Sequence, residues 1–201
     1  MAHVLKARLA LLSLVLATLG VLVLGGTTAL ATGGKLRCFA DAPATCTLNS
    51  PNNATLDTTS GSDAGVFLSN GKSTNGFPLA NVSFSFTYSC QGSDNVTSCI
   101  GGGAPRWSIP ISEDGSSTTT AYAFLDAANC LSGGTAPTGN TLTVSTTEST
   151  CPVFFDKEYS DWADFAAAHP TWTISGDLPF VISDVQTNGR IVVSDLDVTK
   201  S

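Results

Sequence analysis

The clearest alternation of apolar and polar positions runs from Val82 to Cys90. Val82, Phe84, Phe86, Tyr88 and Cys90 fall on one side, and Ser83, Ser85, Thr87 and Ser89 on the other. A period of two predicts a strand in a sheet with one buried face. Arg106–Ser112 repeats the pattern with Trp107, Ile109 and Ile111 in phase. Pro110 within that run predicts an edge strand or a bulge, because proline cannot donate to a ladder. Shorter runs predict strands over 45–48, 54–58, 66–69, 120–126, 141–146, 153–155, 171–174, 180–184 and 190–198. Turn-forming pairs such as Asn70-Gly71, Asp114-Gly115 and Asn188-Gly189 punctuate them. Many short strands separated this way predict an all-β sandwich or barrel.

The period changes once, between Ser160 and His169, where Trp162 and Phe165 lie three apart and Pro170 follows. This predicts one short helix, with Ser160 as its cap and Asp161 and Asp164 at the positive end of its dipole. Trp162 and Phe165 would share the face laid over a sheet end.

The first 31 residues follow another pattern. Lys6 and Arg8 precede an apolar run from Leu9 to Leu24, and Ala29-x-Ala31 closes it. This is the arrangement of a secretory signal peptide cleaved after Ala31. An N-terminal membrane anchor is the alternative, since a spanning helix needs about 20 apolar residues. Either way residues 32–201 are expected outside the cell as a single domain. Lys35-Leu36-Arg37 before Cys38 does not match a lipid-attachment pattern, and the tail is polar, so no other anchor is expected.

All 16 acidic residues but only seven of the nine basic ones follow residue 31, which leaves this part with nine formal negative charges. Such a surface disfavours nucleic acid and anionic membrane as partners. It suits solubility, cations or neutral ligands.

Six cysteines, Cys38, Cys46, Cys90, Cys99, Cys130 and Cys151, all lie in the exported part. An even set in that setting predicts a disulfide framework. They form three near-neighbour couples, 38/46, 90/99 and 130/151, and local pairing is the expectation among the 15 connectivities. No Cys-x-x-Cys occurs and only one histidine, His169, accompanies them, so a zinc site is not expected.

Candidate chemistry is sparse. His169 stands at a helix C-terminus, where the dipole favours it, and no Gly-x-Ser-x-Gly elbow supplies a nucleophile. Asn70-Gly71-Lys72-Ser73 lacks the glycine of a phosphate-binding loop and reads as a hairpin turn. Asp156 and Glu158, two apart before the helix, are the candidate pair for glycoside hydrolysis, which needs one protonated and one ionised carboxyl. Asp184, Asp195 and Asp197 are candidate calcium ligands, but solvent-facing aspartates are the plainer reading, and no cofactor is expected. Among the aromatics, Tyr88 and Trp107 fall on core faces. Tyr159 and Trp172 flank the helix near loops and are the candidate ligand-binding residues, because sugar C–H faces stack on aromatic rings. Sequons at Asn53, Asn81 and Asn95 match chance frequency in a chain so rich in Ser and Thr.

Phe84-x-Phe-x-Tyr-x-Cys90, Ala104-Pro-Arg-Trp-Ser-Ile-Pro-Ile111 and the closing Ile191-Val-Val-Ser-Asp-Leu-Asp-Val198 together resemble a secreted bacterial jelly-roll β-sandwich. The last segment is similar to the final strand of carbohydrate-binding jelly-roll modules. The resemblance implies an antiparallel jelly-roll sandwich over most of residues 36–199, with no ligand residue carried over. The expectation is therefore a secreted, disulfide-stapled, non-catalytic domain that binds carbohydrate or a cell-surface component. A glycosidase using Asp/Glu carboxylates is the alternative, and a structural extracellular protein the third reading.

Overall fold

The computed structural model describes residues 34–59, 61–69, 73–91, 105–130, 142–183 and 189–200. Its elements, in chain order, are β1 (Lys35–Ala40), β2 (Thr45–Ser50), β3 (Asn53–Thr58), β4 (Ala64–Ser69), a 3-10 turn (Leu79–Asn81), β5 (Val82–Cys90), β6 (Arg106–Ser112), β7 (Ala121–Asp126), α1 (Ala127–Cys130), β8 (Leu142–Ser145), β9 (Val153–Phe154), β10 (Glu158–Tyr159), α2 (Trp162–Ala168), β11 (Thr173–Ile174), β12 (Phe180–Ser183) and β13 (Gly189–Lys200).

These strands make two antiparallel sheets. One runs β1-β4-β12-β6-β7-β9-β10, with β11 paired to β6. The other runs β2-β3-β13-β5-β8. Consecutive strands repeatedly fall in different sheets, as in β1 and β2 or β12 and β13, which makes this a jelly-roll-type sandwich rather than a meander. The predicted alternation on β5 holds at every position, with the five apolar residues buried and the four hydroxyls half-buried. Phe84 and Phe86 reach across to Trp107 on the facing sheet, edge to face, at centroid distances of 5.6 and 6.1 Å. This inter-sheet contact is the centre of the core, and burial of such rings is the main force joining the layers.

Three local expectations change. β6 is an interior strand, not an edge. Pro110 is tolerated because β12 pairs only with residues 106–108 and β11 only with 111–112, so residue 110 falls in the gap between two partners. The cap of α2 is Asp161, whose carboxylate accepts from the Asp164 amide at 2.8 Å. Ser160 instead donates its hydroxyl back to the Asp164 carboxylate at 3.0 Å. β1 forms although no alternation announced it. Only Leu36 of its six residues is fully buried, so its inward face is too short to show a period.

Cys38–Cys46 and Cys130–Cys151 are disulfides, as the local pairing predicts. The first joins β1 of one sheet to β2 of the other along one open side of the sandwich. Cys90 is also disulfide-bonded. Cys99, its expected partner, lies outside the described residues, as do the proposed leader and Asp184. No helix among the described residues is long and apolar enough to cross a membrane.

Candidate functional site

A β-strand offers its side chains alternately to the two faces of its sheet. In the larger sheet the inward set is Leu36, Val66, Val181, Trp107, Leu125, Val153 and Tyr159, all buried. The outward set contains a row of directly paired positions. It runs from Arg37 on β1 through Phe67 on β4, Phe180 on β12, Ser108 on β6, Phe124 on β7 and Phe154 on β9 to Glu158 on β10. Six inter-strand steps at about 4.8 Å each make this row roughly 29 Å long. Its four phenylalanines are half-buried, so each ring keeps an open part toward solvent. Ser108 between Phe180 and Phe124 forms a low floor between ring walls.

Adjacent rows complete the surface. Phe39, Gly65, Ile182, Arg106 and Asp126 pair across one side, and Tyr122 opposite Pro110 lies on the other. Phe39 meets Phe180 edge to face at 5.5 Å, and Tyr122 meets the same ring at 5.8 Å. The Arg106 guanidinium sits 5.1 Å from the centre of the Phe124 ring. These contacts hold the rings in place. Gly65 is required beneath Phe39, because a Cβ there would run into the Phe39 ring and come within 2.6 Å of the Val181 carbonyl oxygen. The result is a preformed aromatic strip with a cation at one end and a carboxylate at the other.

The residues singled out from sequence take other positions. Tyr159 points inward from β10 and is 5% exposed. Its hydroxyl donates to Asp156 Oδ1 at 3.1 Å and lies 2.7 Å from His169 Nε2. A phenol has one proton, so with Asp156 accepting it the Nε2–H of His169 donates to the phenol oxygen. Burial pushes the Tyr159 phenol above its usual range, and the hydrogen bond to Asp156 and the charges of Asp156 and Asp164 add to this. Trp172 is half-buried and lies flat on the His169 ring, with centroids 3.6 Å apart and planes 18° apart. Burial holds His169 below the ordinary histidine range. Tyr159 and Trp172 thus pack around the end of α2, and Tyr159 offers no open face.

Asp156 and Glu158 part company: Asp156 turns to the Tyr159 hydroxyl, while Glu158 occupies the last outward position of the aromatic row. Asp195 lies in the left-handed region at φ 52°, inside the β13 irregularity, and accepts from Ser194. Asp197 accepts from Thr199. No group of three or more His, Cys, Asp or Glu gathers in a metal-holding arrangement among the described residues.

A concavity of about 690 Å³ separates α2 from the end of the smaller sheet. Val82, Trp162, Ala166 and Pro170 line it with Thr146, Glu148 and Asp161. The Trp162 indole donates to the Leu79 carbonyl at 3.0 Å, so its polar atom is already satisfied.

Periodicity alone does not single out the aromatic strip, because Trp and Tyr near loops are the more conspicuous sugar-stacking candidates in the sequence. A signal was nonetheless present. Val66-Phe67-Leu68, Phe124-Leu125, Val153-Phe154 and Phe180-Val181-Ile182 are strands with apolar residues on both parities. An outer strand face needs no such residues in a two-layer sandwich, so these runs mark a face with a further use.

No family model matches the chain, and no curated protein matches it. Solved structures similar to it include a family 11 carbohydrate-binding module from Clostridium thermocellum in complex with a β-1,3-1,4-mixed-linked tetrasaccharide. That likeness has 12% identity, 83% of this chain, 89% of that one and a TM-score of 0.43. The family 11 module of the cellulosomal cellulase Lic26A-Cel5E, also from Clostridium thermocellum, is similar at 11% identity, 88% and 95% coverage and a TM-score of 0.45. A β-1,2-glucanase from Parabacteroides distasonis is similar at 14% identity and a TM-score of 0.43, the match covering 86% of this chain but 24% of that enzyme. At these scores the likeness decides nothing about ligand or activity.

Proposed function

We propose that the chain is a secreted, non-catalytic domain that binds an extended carbohydrate across the outer face of its larger sheet. One observation carries this reading: the paired row of half-buried Phe67, Phe180, Phe124 and Phe154, in which Phe39 and Tyr122 brace Phe180 and Arg106 lies over Phe124. Sugar rings have apolar C–H faces that stack on aromatic surfaces, and peripheral polar groups fix their orientation. Arg37, Asp126 and Glu158 are such groups within or beside the row, whereas Ser108 is buried between the rings of Phe180 and Phe124. Arg37 and Glu158, at the two ends of the row, are exposed, which suits an internal stretch of a polymer.

The separation of Asp156 from Glu158 supports binding over hydrolysis, because a glycosidase needs its two carboxyl groups facing one bond. The disulfides fit an oxidising compartment, and the leader pattern is the route to it.

Affinity electrophoresis or calorimetry against soluble polysaccharides tests the proposal. Phe67→Ala and Phe124→Ala should each weaken binding about tenfold or more, equivalent to about 1.4 kcal/mol. Thr55→Ala and Thr87→Ala on the outer face of the other sheet should leave it unchanged. Equal affinity in all four variants would remove the aromatic strip as the site.

A further inference from the structure

The aromatic strip is electrically lopsided, and that asymmetry bears on its ligand. Residues 32–201 are strongly acidic, and the outer face of the smaller sheet follows the trend, with Asp57, Asp195 and Asp197 against Arg190. Arg190 is itself held by Asp57 at 2.6 Å. The β1 end of the aromatic strip differs. Lys35 and Arg37 are exposed there, both on the outward parity of β1, and neither has a carboxylate partner among the described residues.

The Arg37 guanidinium is oriented. Its Nε donates to Ser69 Oγ at 3.2 Å, and that hydroxyl donates on to the Lys35 carbonyl at 3.0 Å. The terminal guanidinium nitrogens remain for a ligand. The two cations also line a hollow of about 360 Å³ with Leu36, Leu48, Ser50 and Pro51. The phenylalanine row ends at Arg37 on β1, and beyond it Lys35 and Arg37 wall this hollow together with two leucines, a serine and a proline. At the opposite end Glu158 supplies negative charge.

Building on the glycan reading, we infer that the strip takes an anionic glycan bearing uronate carboxylates, with one carboxylate seated at Lys35 and Arg37. A planar carboxylate matches the two-pronged donor geometry of guanidinium. The neutral rings of the same chain lie on Phe67, Phe180, Phe124 and Phe154. Glu158 repels a carboxylate at its own end and so sets the direction in which the glycan lies. Lysine and arginine on an edge strand also protect against edge-to-edge pairing. That role needs neither the hollow nor the ordered guanidinium at the head of an aromatic row.

The test uses hyaluronan and polygalacturonate, each in native and carboxyl-reduced form, so that the ligand pairs differ only in charge. Wild type, the Lys35→Ala/Arg37→Ala double variant and Phe124→Ala are compared by calorimetry, with melting temperature as the check of folding. Wild type should bind a native polymer roughly tenfold or more tightly than its reduced form, the usual size of a lost hydrogen bond to a charged group. The double variant should lose that preference and keep the weaker binding of the reduced polymer. Equal affinity for both forms, with loss in Phe124→Ala, overturns the uronate assignment and leaves the glycan face standing. Failure of wild type to bind any of the four polymers overturns the uronate assignment. Failure on neutral glucans and xylans as well overturns the glycan reading beneath it.

Discussion

The two outer faces of this sandwich are built to the same geometry and with opposite chemistry. On the smaller sheet one cross-strand row reads Asn53, Ser194, Thr87 and Thr143, and its neighbour reads Thr47, Thr55, Val192 and Ser89. Hydroxyls and amides there bond one another, as between Asn49 and Thr55 at 2.8 Å. On the larger sheet the equivalent row carries four phenylalanines. A two-layer sandwich needs only its inner faces apolar, and both sheets meet that need. The hydroxyl face shows what the fold requires of a solvent side. The aromatic face carries more, and exposing rings costs solubility without filling the core. On the proposed reading, what differs between the faces serves binding rather than folding.

The sharpest way to break this distinction is to compare one ring from the core with one from the strip. Phe84 is 1% exposed and touches Trp107 and Trp162 edge to face. Phe84→Ala should cost about 3–5 kcal/mol in denaturant unfolding, the usual range for a buried phenylalanine. Phe124→Ala should cost about 1–2 kcal/mol, because its ring is half-open and leaves no closed cavity. Similar losses in the two variants would make the strip a second core and end its claim as a site.

Gly65 gives a finer cut, since it lies under the strip without belonging to it. In Gly65→Ala the Phe39 ring can swing away, but the Val181 carbonyl oxygen, 2.6 Å from the new Cβ, belongs to the ladder and cannot. Overpacking of this kind costs about 1–3 kcal/mol. Displacing Phe39 also removes a ring that braces Phe180, so glycan affinity should fall in the folded variant. Unchanged stability and affinity would show that the ring above Gly65 is not fixed.

The hydroxyl face and the core were legible in the chain because β5 alternates cleanly over its whole length and β13 does so on either side of its irregularity at Asp195. Val82 to Cys90 alone predicts a strand, its buried side and its polar side. The aromatic face was not legible by the same rule. Its strands are short and apolar on both parities, so periodicity identifies them without saying which residues face out. That needs register: Phe67, Phe180, Phe124 and Phe154 are distant in sequence and meet only through the pairing of β4, β12, β6, β7 and β9. Tyr159 departs from its expected exposure for a related reason. Proximity to a loop suggests exposure, but the residues that follow fold back as α2 and cover Tyr159. Two of the cysteine couples, Cys38–Cys46 and Cys130–Cys151, were readable because their partners are close in sequence.

The smallest expected effect concerns the contact of α2 and His169 with residues 153–159, the segment that ends the aromatic strip. Within it Phe154 and Glu158 belong to the strip, while Tyr159 and Asp156 join His169. Burial lowers the His169 pKa below its ordinary 6.5, with Asp156 and Glu113 opposing and Lys157 assisting. The folded chain therefore holds this proton less firmly than the unfolded chain does. Stability is fully present above pH 6.5 and declines as pH falls from there through the lower folded value, levelling off below it. His169→Gln should flatten this part of the pH–stability profile while other carboxylate-driven changes at lower pH persist. Protonation next to Trp172, stacked at 3.6 Å, should also change that indole's fluorescence over the same pH window. If acid loosens this segment, glycan affinity should fall in step with the fluorescence change, and hydrogen exchange on β5 and β13 should stay put. A fluorescence change with constant affinity would show that the strip is held by its own strands and owes nothing to the helix behind it.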